Sequence, residues 1–339
     1  MSDEPVMPAR IAWLLATACG LIVANLYYAQ PLAGPIGAAL GFPPQATGLI
    51  VTLTQLGYGL GLLLLVPLGD LVENRTLVLA QIALATLGLL AAALSVHAAE
   101  FLGAALLIGL GSVAAQVLIP YAAHLAPDAT RGRVVGNVMS GLMLGIMLAR
   151  PVASTIAEFH SWRLVFWMSV VAMVLLALLL WRALPRRLPT AELKYGQLLA
   201  SMVDLALHTP ILQRRALYHA CLFAAFSLFW TTAPLLLEGP EFHLSQGGIA
   251  LFALAGVAGA ISTPIAGRLA DAGWSRPATI VAMLAVLCAF GLTHLAAPGS
   301  DLALGLLTAA AVMLDFGVAA NLTLGQRAIF ALGRRIVRV

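Results

Sequence analysis

An all-α integral membrane bundle of about ten transmembrane helices is the fold class that this sequence predicts. Three observations carry the prediction. Apolar residues make up 61% of the 339-residue chain and charged residues 9%, against roughly 25% charged in an ordinary soluble domain. Ten stretches, near 11–33, 46–68, 76–96, 101–123, 134–157, 163–184, 214–237, 247–270, 277–296 and 302–326, are apolar over the roughly 20 residues that a helix needs to cross about 30 Å of hydrocarbon. No segment shows the period-two alternation of a membrane barrel, and helices satisfy their own backbone groups.

Span one begins without a basic leader, and its apolar run is too long for a signal peptide, so it is expected to stay attached. Asn25 and Tyr28 share one of its faces. Span two carries Gly48, Thr52, Gln55 and Gly59 at helical spacing, a stripe read as a packing face. Span four carries Gly109, Ser112, Gln116 and Pro120 on one stripe. Span five holds Arg150, sixteen residues in and roughly 24 Å deep. Asn137, Gly141 and Gly145 form its small-residue face, with Gly141 opposite Arg150 at about 100° per residue. That leaves Arg150 for a water-filled cavity, or for the plainer roles of a snorkelling arginine or a structural ion pair.

The widest gap, 185–213, is the most polar and reads as a cytoplasmic central loop. Leu198, Leu199, Met202, Leu205 and Leu207 make part of it modestly amphipathic. An interfacial helix and a solvated linker both fit. Span seven aligns His219, Phe223, Phe226 and Trp230. Span ten contains Asp315, the one acid deep within a span, on a face with Thr308 and Gln326. A carboxylate in a medium of low dielectric can take up and release a proton near neutrality, which a proton-coupled carrier requires. Pairing with a polar neighbour for packing is the alternative. The domains read as a six-helix bundle over 1–184, the loop at 185–213, and a four-helix bundle over 214–339.

With a cytoplasmic N-terminus, sixteen of the eighteen Lys and Arg fall on the inner side, leaving only Arg163 at an outer helix end and Arg150 within a span. The net charge of +4 is therefore a topology signal and implies no nucleic acid. Cys19, Cys221 and Cys288 lie in apolar runs without metal-ligand spacing. No Gly-rich phosphate loop or zinc-type cluster exists, so no cofactor, metal or catalytic residue is expected, and the chain does not read as an enzyme.

Two loops repeat. Leu68-Gly69-Asp70-Leu71-Val72-Glu73-Asn74-Arg75 and Leu269-Ala270-Asp271-Ala272-Gly273-Trp274-Ser275-Arg276 share Leu, a small residue, Asp and Arg in register, 201 residues and six spans apart. Parallel six-helix repeats of this kind belong to one transporter architecture. The chain resembles the major facilitator superfamily, whose loop between spans two and three reads G-x-L-x-D-R-x-G-R-[RK]. Leu68, Asp70 and Arg75 match it, whereas Val66, Leu71, Glu73 and Asn74 depart; Gly267, Leu269, Asp271 and Arg276 match in the second half. Tyr27-Tyr28-Ala29-Gln30-Pro31 and Pro67-Leu68-Gly69-Asp70 look like the bacterial sugar- and drug-efflux branch.

The resemblance implies a monomeric, multi-pass carrier in the inner membrane that moves a small solute by alternating access, outward and with protons. It implies that spans one, four, seven and ten line the cavity, and so nominates Asn25, Tyr28, Ser112, Gln116, His219, Trp230 and Asp315, with Arg150 beside them. It casts Asp70, Arg75, Asp271 and Arg276 as the conformational loops, each aspartate stabilised at a helix N-terminus and paired with its arginine. The family has twelve spans, so this chain is expected to be a truncated reading of a longer one. A non-transporting scaffold, a regulator or an inactive fragment is the alternative. Span four also lacks the arginine that proton-linked members often carry there.

Overall fold

The computed structural model describes residues 8–127, 130–189 and 194–336; residues 190–193 of the central segment and 337–339 of the basic C-terminal stretch lie outside. Every regular element among them is helical. Among the described residues, nine helical segments are long and apolar enough to cross a membrane, and the shorter Ala9–Ala24 is apolar too. The chain divides into two compact units, Met1–Leu198 and Leu199–Val339.

In the first unit, α1 (Ala9–Ala24) and α2 (Ala33–Leu40) are separated by turns instead of forming one span. Span two is α3 (Leu49–Leu64), extended by a 3-10 turn over Pro67–Asp70, and span three is α4 (Asn74–Leu94). Span four comprises α5 (Ala98–Ser112) and α6 (Ala114–Leu125), which meet at Val113. Spans five and six are α7 (Arg131–Phe159) and α8 (Trp162–Ala183). Side chains fix the starts. Glu73 accepts from the Arg75 and Thr76 amides at the head of α4, Ser161 accepts from the Arg163 amide at α8, and His97 with Glu100 makes a reciprocal cap at α5.

Packing follows the small residues. Membrane helices gain little from hydrophobic burial against lipid-like neighbours, so close backbone approach supplies the contact. A Cβ on Gly145 would lie 2.1 Å from the Gly20 carbonyl oxygen, and one on Gly141 2.2 Å from that of Ala16, which joins α7 to α1. The small-residue face expected on span five is that seam. Between α3 and α5 the contact runs through Gly57 and Gly109, each of which would clash with a partner backbone oxygen at 2.2 and 2.1 Å. Added Cβ atoms at Gly48 and Gly59 would meet nothing within 4 Å, so the packing face predicted on span two is corrected. The seam lies on Thr54, Gly57 and Gly61 instead, because α3 turns that side to span four.

In the central segment, α9 (Tyr195–His208) is a helix without a buried residue. The second unit contains α10 (Pro210–Glu238), α11 (Gln246–Ala253), α12 (Ala258–Asp271), α13 (Ser275–Leu292) and α14 (Asp301–Ile336). A 3-10 turn, Leu254–Val257, interrupts span eight between α11 and α12. Helix α14 is the hub, packing against α10, α12 and α13, with Ala266, Ala282, Ala320 and Leu324 in one core cluster. Exposed apolar side chains line the outward faces of α8 and α13, among them Met168, Val171 and Leu175, and Val281, Leu284 and Leu287. A water-soluble surface does not carry such bands, and a lipid-facing one does.

Replacing Gly145 with valine is expected to destabilise the α1–α7 seam by about 1–3 kcal/mol, whereas Gly59→Val leaves stability unchanged. Melting of the detergent-solubilised variants checks both; equal melting temperatures would contradict the seam.

Candidate functional site

The first unit holds a polar cluster inside its apolar core. The turns between α1 and α2 are closed by three-residue hydrogen bonds, among them the Tyr27 amide to the Ala24 carbonyl at 3.0 Å and the Gln30 amide to the Tyr27 carbonyl at 3.3 Å. This tighter winding precedes Pro31, whose ring disfavours an α-helical residue at position 30. It points Gln30 inward, fully buried, where its Oε1 accepts from Arg150 Nε at 2.8 Å. The Arg150 guanidinium lies over the Tyr27 ring, 5.0 Å from its centroid, and is 1% exposed. Arg150 therefore does not snorkel. Pro151 sits inside α7 immediately after it.

Asn25 and Tyr28 do not share a face. Asn25 is buried against span six, where its Oδ1 accepts from Ser169 Oγ at 2.5 Å and its Nδ2 meets Met173 Sδ at 3.4 Å. Tyr28 lines a cavity of about 550 Å³ along α1 and α7, with Thr17, Asn137 and Ser140 as its other polar walls. The face arithmetic failed because the helix stops at Ala24. Ser112 spends its hydroxyl on the Ile108 carbonyl at 2.7 Å, and Gln116 donates to Tyr58 Oη at 2.9 Å.

In the second unit, Trp230 and Asp315 meet. Trp230 is fully buried, Asp315 is 6% exposed, and the indole Nε1–H donates to Asp315 Oδ1 at 2.8 Å. Phe229 and Phe252 pack on Trp230 with centroids at 5.7 and 5.6 Å. Gly256, in the 3-10 break of span eight, closes the other side: a Cβ there would lie 2.9 Å from Asp315 Oδ2 and 3.2 Å from the indole. Along α10 the His219 ring lies tilted against Phe223, and Phe223 stacks on Phe226, with centroids 5.8 and 5.6 Å apart. Neither Thr308, which back-bonds to Leu304, nor exposed Gln326 joins Asp315.

The repeated loops differ from expectation. Asp70 closes the 3-10 turn of span two, and Asp271 is the last residue of α12. Both aspartates thus end the preceding helical segment, where the helix dipole disfavours an acid, instead of beginning the next. Arg75 donates to the Leu184 carbonyl at 3.1 Å and lies over Trp181. Asp271 pairs with Arg327 from α14, while Arg276 is exposed. The N-cap role expected of Asp70 falls to Glu73, three residues on, because α4 begins at Asn74. Together Glu73 and Asn74 hold the segment leaving span six: the Asn74 amide donates to the Arg187 carbonyl at 3.1 Å, and Arg187 Nη1 donates to Asn74 Oδ1 at 2.8 Å. Tyr121 Oη donates to the Pro185 carbonyl at 2.6 Å. No His/Cys/Asp/Glu cluster with metal-binding geometry occurs among the described residues.

Burial alone would raise the pKa of Glu73, but hydrogen bonds from Thr76, Arg75 and Arg187 overturn that and hold the carboxylate below its usual range. Its contribution to stability is therefore present above the ordinary carboxylate pKa and is lost as pH falls through the lowered one. Glu73→Ala is expected to destabilise the fold at neutral pH by about 1 kcal/mol. The gap from the unaltered chain should close on acidification, as read by melting temperature against pH; a gap that persists in acid would contradict the assignment.

The comparisons with known proteins agree with this architecture. The family model for the Major Facilitator Superfamily matches residues 13–334. The "Uncharacterized transporter YgaY" of Escherichia coli O157:H7 is 45% identical over 285 residues, which cover 84% of this chain and 72% of that protein. A bacterial homolog of the human lysosomal transporter Spinster, in an inward-facing and unoccupied conformation, superposes with a TM-score of 0.74 at 17% identity, covering 95% of this chain and 76% of that one. A D-xylose-proton symporter superposes with a TM-score of 0.70 at 16% identity, covering 95% and 88%.

Proposed function

The chain belongs to the Major Facilitator Superfamily, and on that footing we propose that it exports a small amphipathic solute across a bacterial inner membrane, driven by protons. Membership makes it a membrane transporter and not an enzyme. The finer reading rests on Asp315. A carboxylate is costly in hydrocarbon and is kept there when it does work.

Its environment suits a proton carrier. Indole is a donor only, so Trp230 can keep its bond to Oδ1 whether or not the acid is protonated. The other oxygen, Oδ2, faces Gly256. The rings of His219, Phe223 and Phe226, in contact one after another, line the same helix as Trp230, which supports a solute with an apolar or aromatic body. The basic residues gathered on one side support a cytoplasmic N-terminus. The paired loops six spans apart support rocking of two related bundles around a midplane site.

The test uses proteoliposomes loaded with a pH-sensitive dye and a solute for which the wild-type chain shows counterflow. Asp315→Asn is expected to reduce pH-gradient-driven flux by about tenfold or more while keeping counterflow, which needs no net proton movement. Gly256→Ala, which crowds Oδ2, should slow the driven flux as well. Undiminished driven flux in Asp315→Asn would remove Asp315 from the mechanism, and no counterflow by the wild type across a broad panel would leave the scaffold reading standing.

A further inference from the structure

The helix of the central segment has an apolar face that the chain leaves largely uncovered. Helix α9 contains no buried residue, and Val203, Leu205 and Leu207 are 57%, 56% and 65% exposed. The two kinds of side chain are segregated around it. At about 100° per residue, Gln197, Ser201, Asp204 and His208 fall within roughly 60° of one another, and every leucine, methionine and valine of the helix lies outside that arc. On the polar face His208 Nδ1 lies 2.9 Å from Asp204 Oδ1. A solvated linker has no use for such segregation, whereas a helix lying in a membrane interface requires it.

Two anchors set the depth of this helix. At its start, Tyr195 Oη donates at 2.8 Å to the carbonyl of Leu64, the last residue of α3. At its finish, Gln213 Nε2 donates to the Ala206 and Leu207 carbonyls at 2.9 and 2.6 Å, and Gln213 belongs to the first turn of α10. Thr209 is extended before Pro210, which parts α9 from α10. Both α3 and α10 lie in segments long and apolar enough to cross a membrane, so each end of α9 is tied to a terminus of a spanning helix. Such termini lie where hydrocarbon gives way to headgroups. The flanks are basic: Arg186, Arg187, Lys194, Arg214 and Arg215 stand against two acids, Glu192 and Asp204. Arg186, Lys194 and Arg214 are exposed, and an anionic leaflet attracts basic residues so placed.

We propose that α9 is a membrane-interface helix, its apolar face sunk into the acyl boundary of the leaflet on the basic side, with anionic phospholipid headgroups against Arg186, Lys194 and Arg214. A soluble partner or a second copy of this chain would not require both ends of the helix to be tied at membrane depth. The bilayer does.

The test uses the full chain with Cys221→Ser and Cys288→Ser, Cys19 being buried. One new cysteine at a time carries an environment-sensitive dye, and the protein is reconstituted into phosphatidylcholine vesicles with and without phosphatidylglycerol. Dye at Val203→Cys and Ala206→Cys is expected to be quenched about threefold more strongly, by lipids bearing a nitroxide near the headgroup, than dye at Ser201→Cys and Asp204→Cys. Because α9 has no buried residue, all four variants should melt like their parent. Phosphatidylglycerol should strengthen quenching on the apolar face, and the combined change Arg186→Glu, Lys194→Glu and Arg214→Glu should abolish that gain. Equal quenching on the two faces, or none on either, overturns the proposal. Energy transfer between copies labelled at Val203→Cys, without quenching by lipid, overturns it in favour of a second copy. Indifference to phosphatidylglycerol overturns the headgroup pairing.

Discussion

Hydrocarbon offers no hydrogen-bond partner, and that one constraint organises the molecule. Every N–H and C=O at membrane depth must be answered by the chain itself, so the described segments are helices, and the exceptions are informative. Where helices end, arginines reach across to the orphaned carbonyls of a neighbour. Arg75 serves the end of α8 through Leu184, Arg163 the end of α4 through Ser95, Arg131 the last turn of α6 through Ala123, and Arg327 the last turn of α12 through Gly267. These cations sit where the helix dipole favours them. Arg75, Arg131 and Arg327, which mark topology in the sequence, are thus also fastenings between helices.

Inside the bilayer the small residues decide which faces meet. Lipid tails are as apolar as leucine, so association depends on how closely backbones approach. Gly20, Gly141 and Gly145 close one seam of the first unit and Gly57 with Gly109 another, while in the second unit Gly317 presses against the Ala282 carbonyl, 2.5 Å from where a Cβ would stand. Gly256 belongs to a different class. Its missing side chain makes room for a carboxylate oxygen and an indole, so it serves the polar site and not a seam.

The spans were legible because about twenty apolar residues between breaks admit few other structures, and Gly141 with Gly145 was legible as a seam because small residues recur there at helical spacing. What failed was arithmetic that assumed unbroken helices. Asn25 and Tyr28 fall on one face of an ideal helix, but the winding tightens before Pro31 and sends them to α8 and to the α7 side. Gln30 was passed over although it is polar and within a span. Gly48 and Gly59 look like a packing stripe, yet a stripe does not say which neighbour faces it. The motif gives Asp70 a spacing without a helix boundary, and Glu73, which departs from that motif, does the capping. The approach of Trp230 to Asp315 across 85 residues leaves no local signal at all.

The two buried clusters use different chemistry, and the difference bears on mechanism. Arg150 carries a charge that no proton exchange will remove. Asp315 can change charge, and its indole partner is indifferent to the change because it only donates. Had the residue at 230 been able to accept as well as donate, protonation of the carboxyl would reverse or break the bond, and the packing of Phe229 and Phe252 on the ring would be disturbed with it. A donor-only partner lets the proton come and go while the aromatic wall stays put. One cluster thus keeps a fixed charge, and the other a carboxyl whose donor partner does not depend on its protonation.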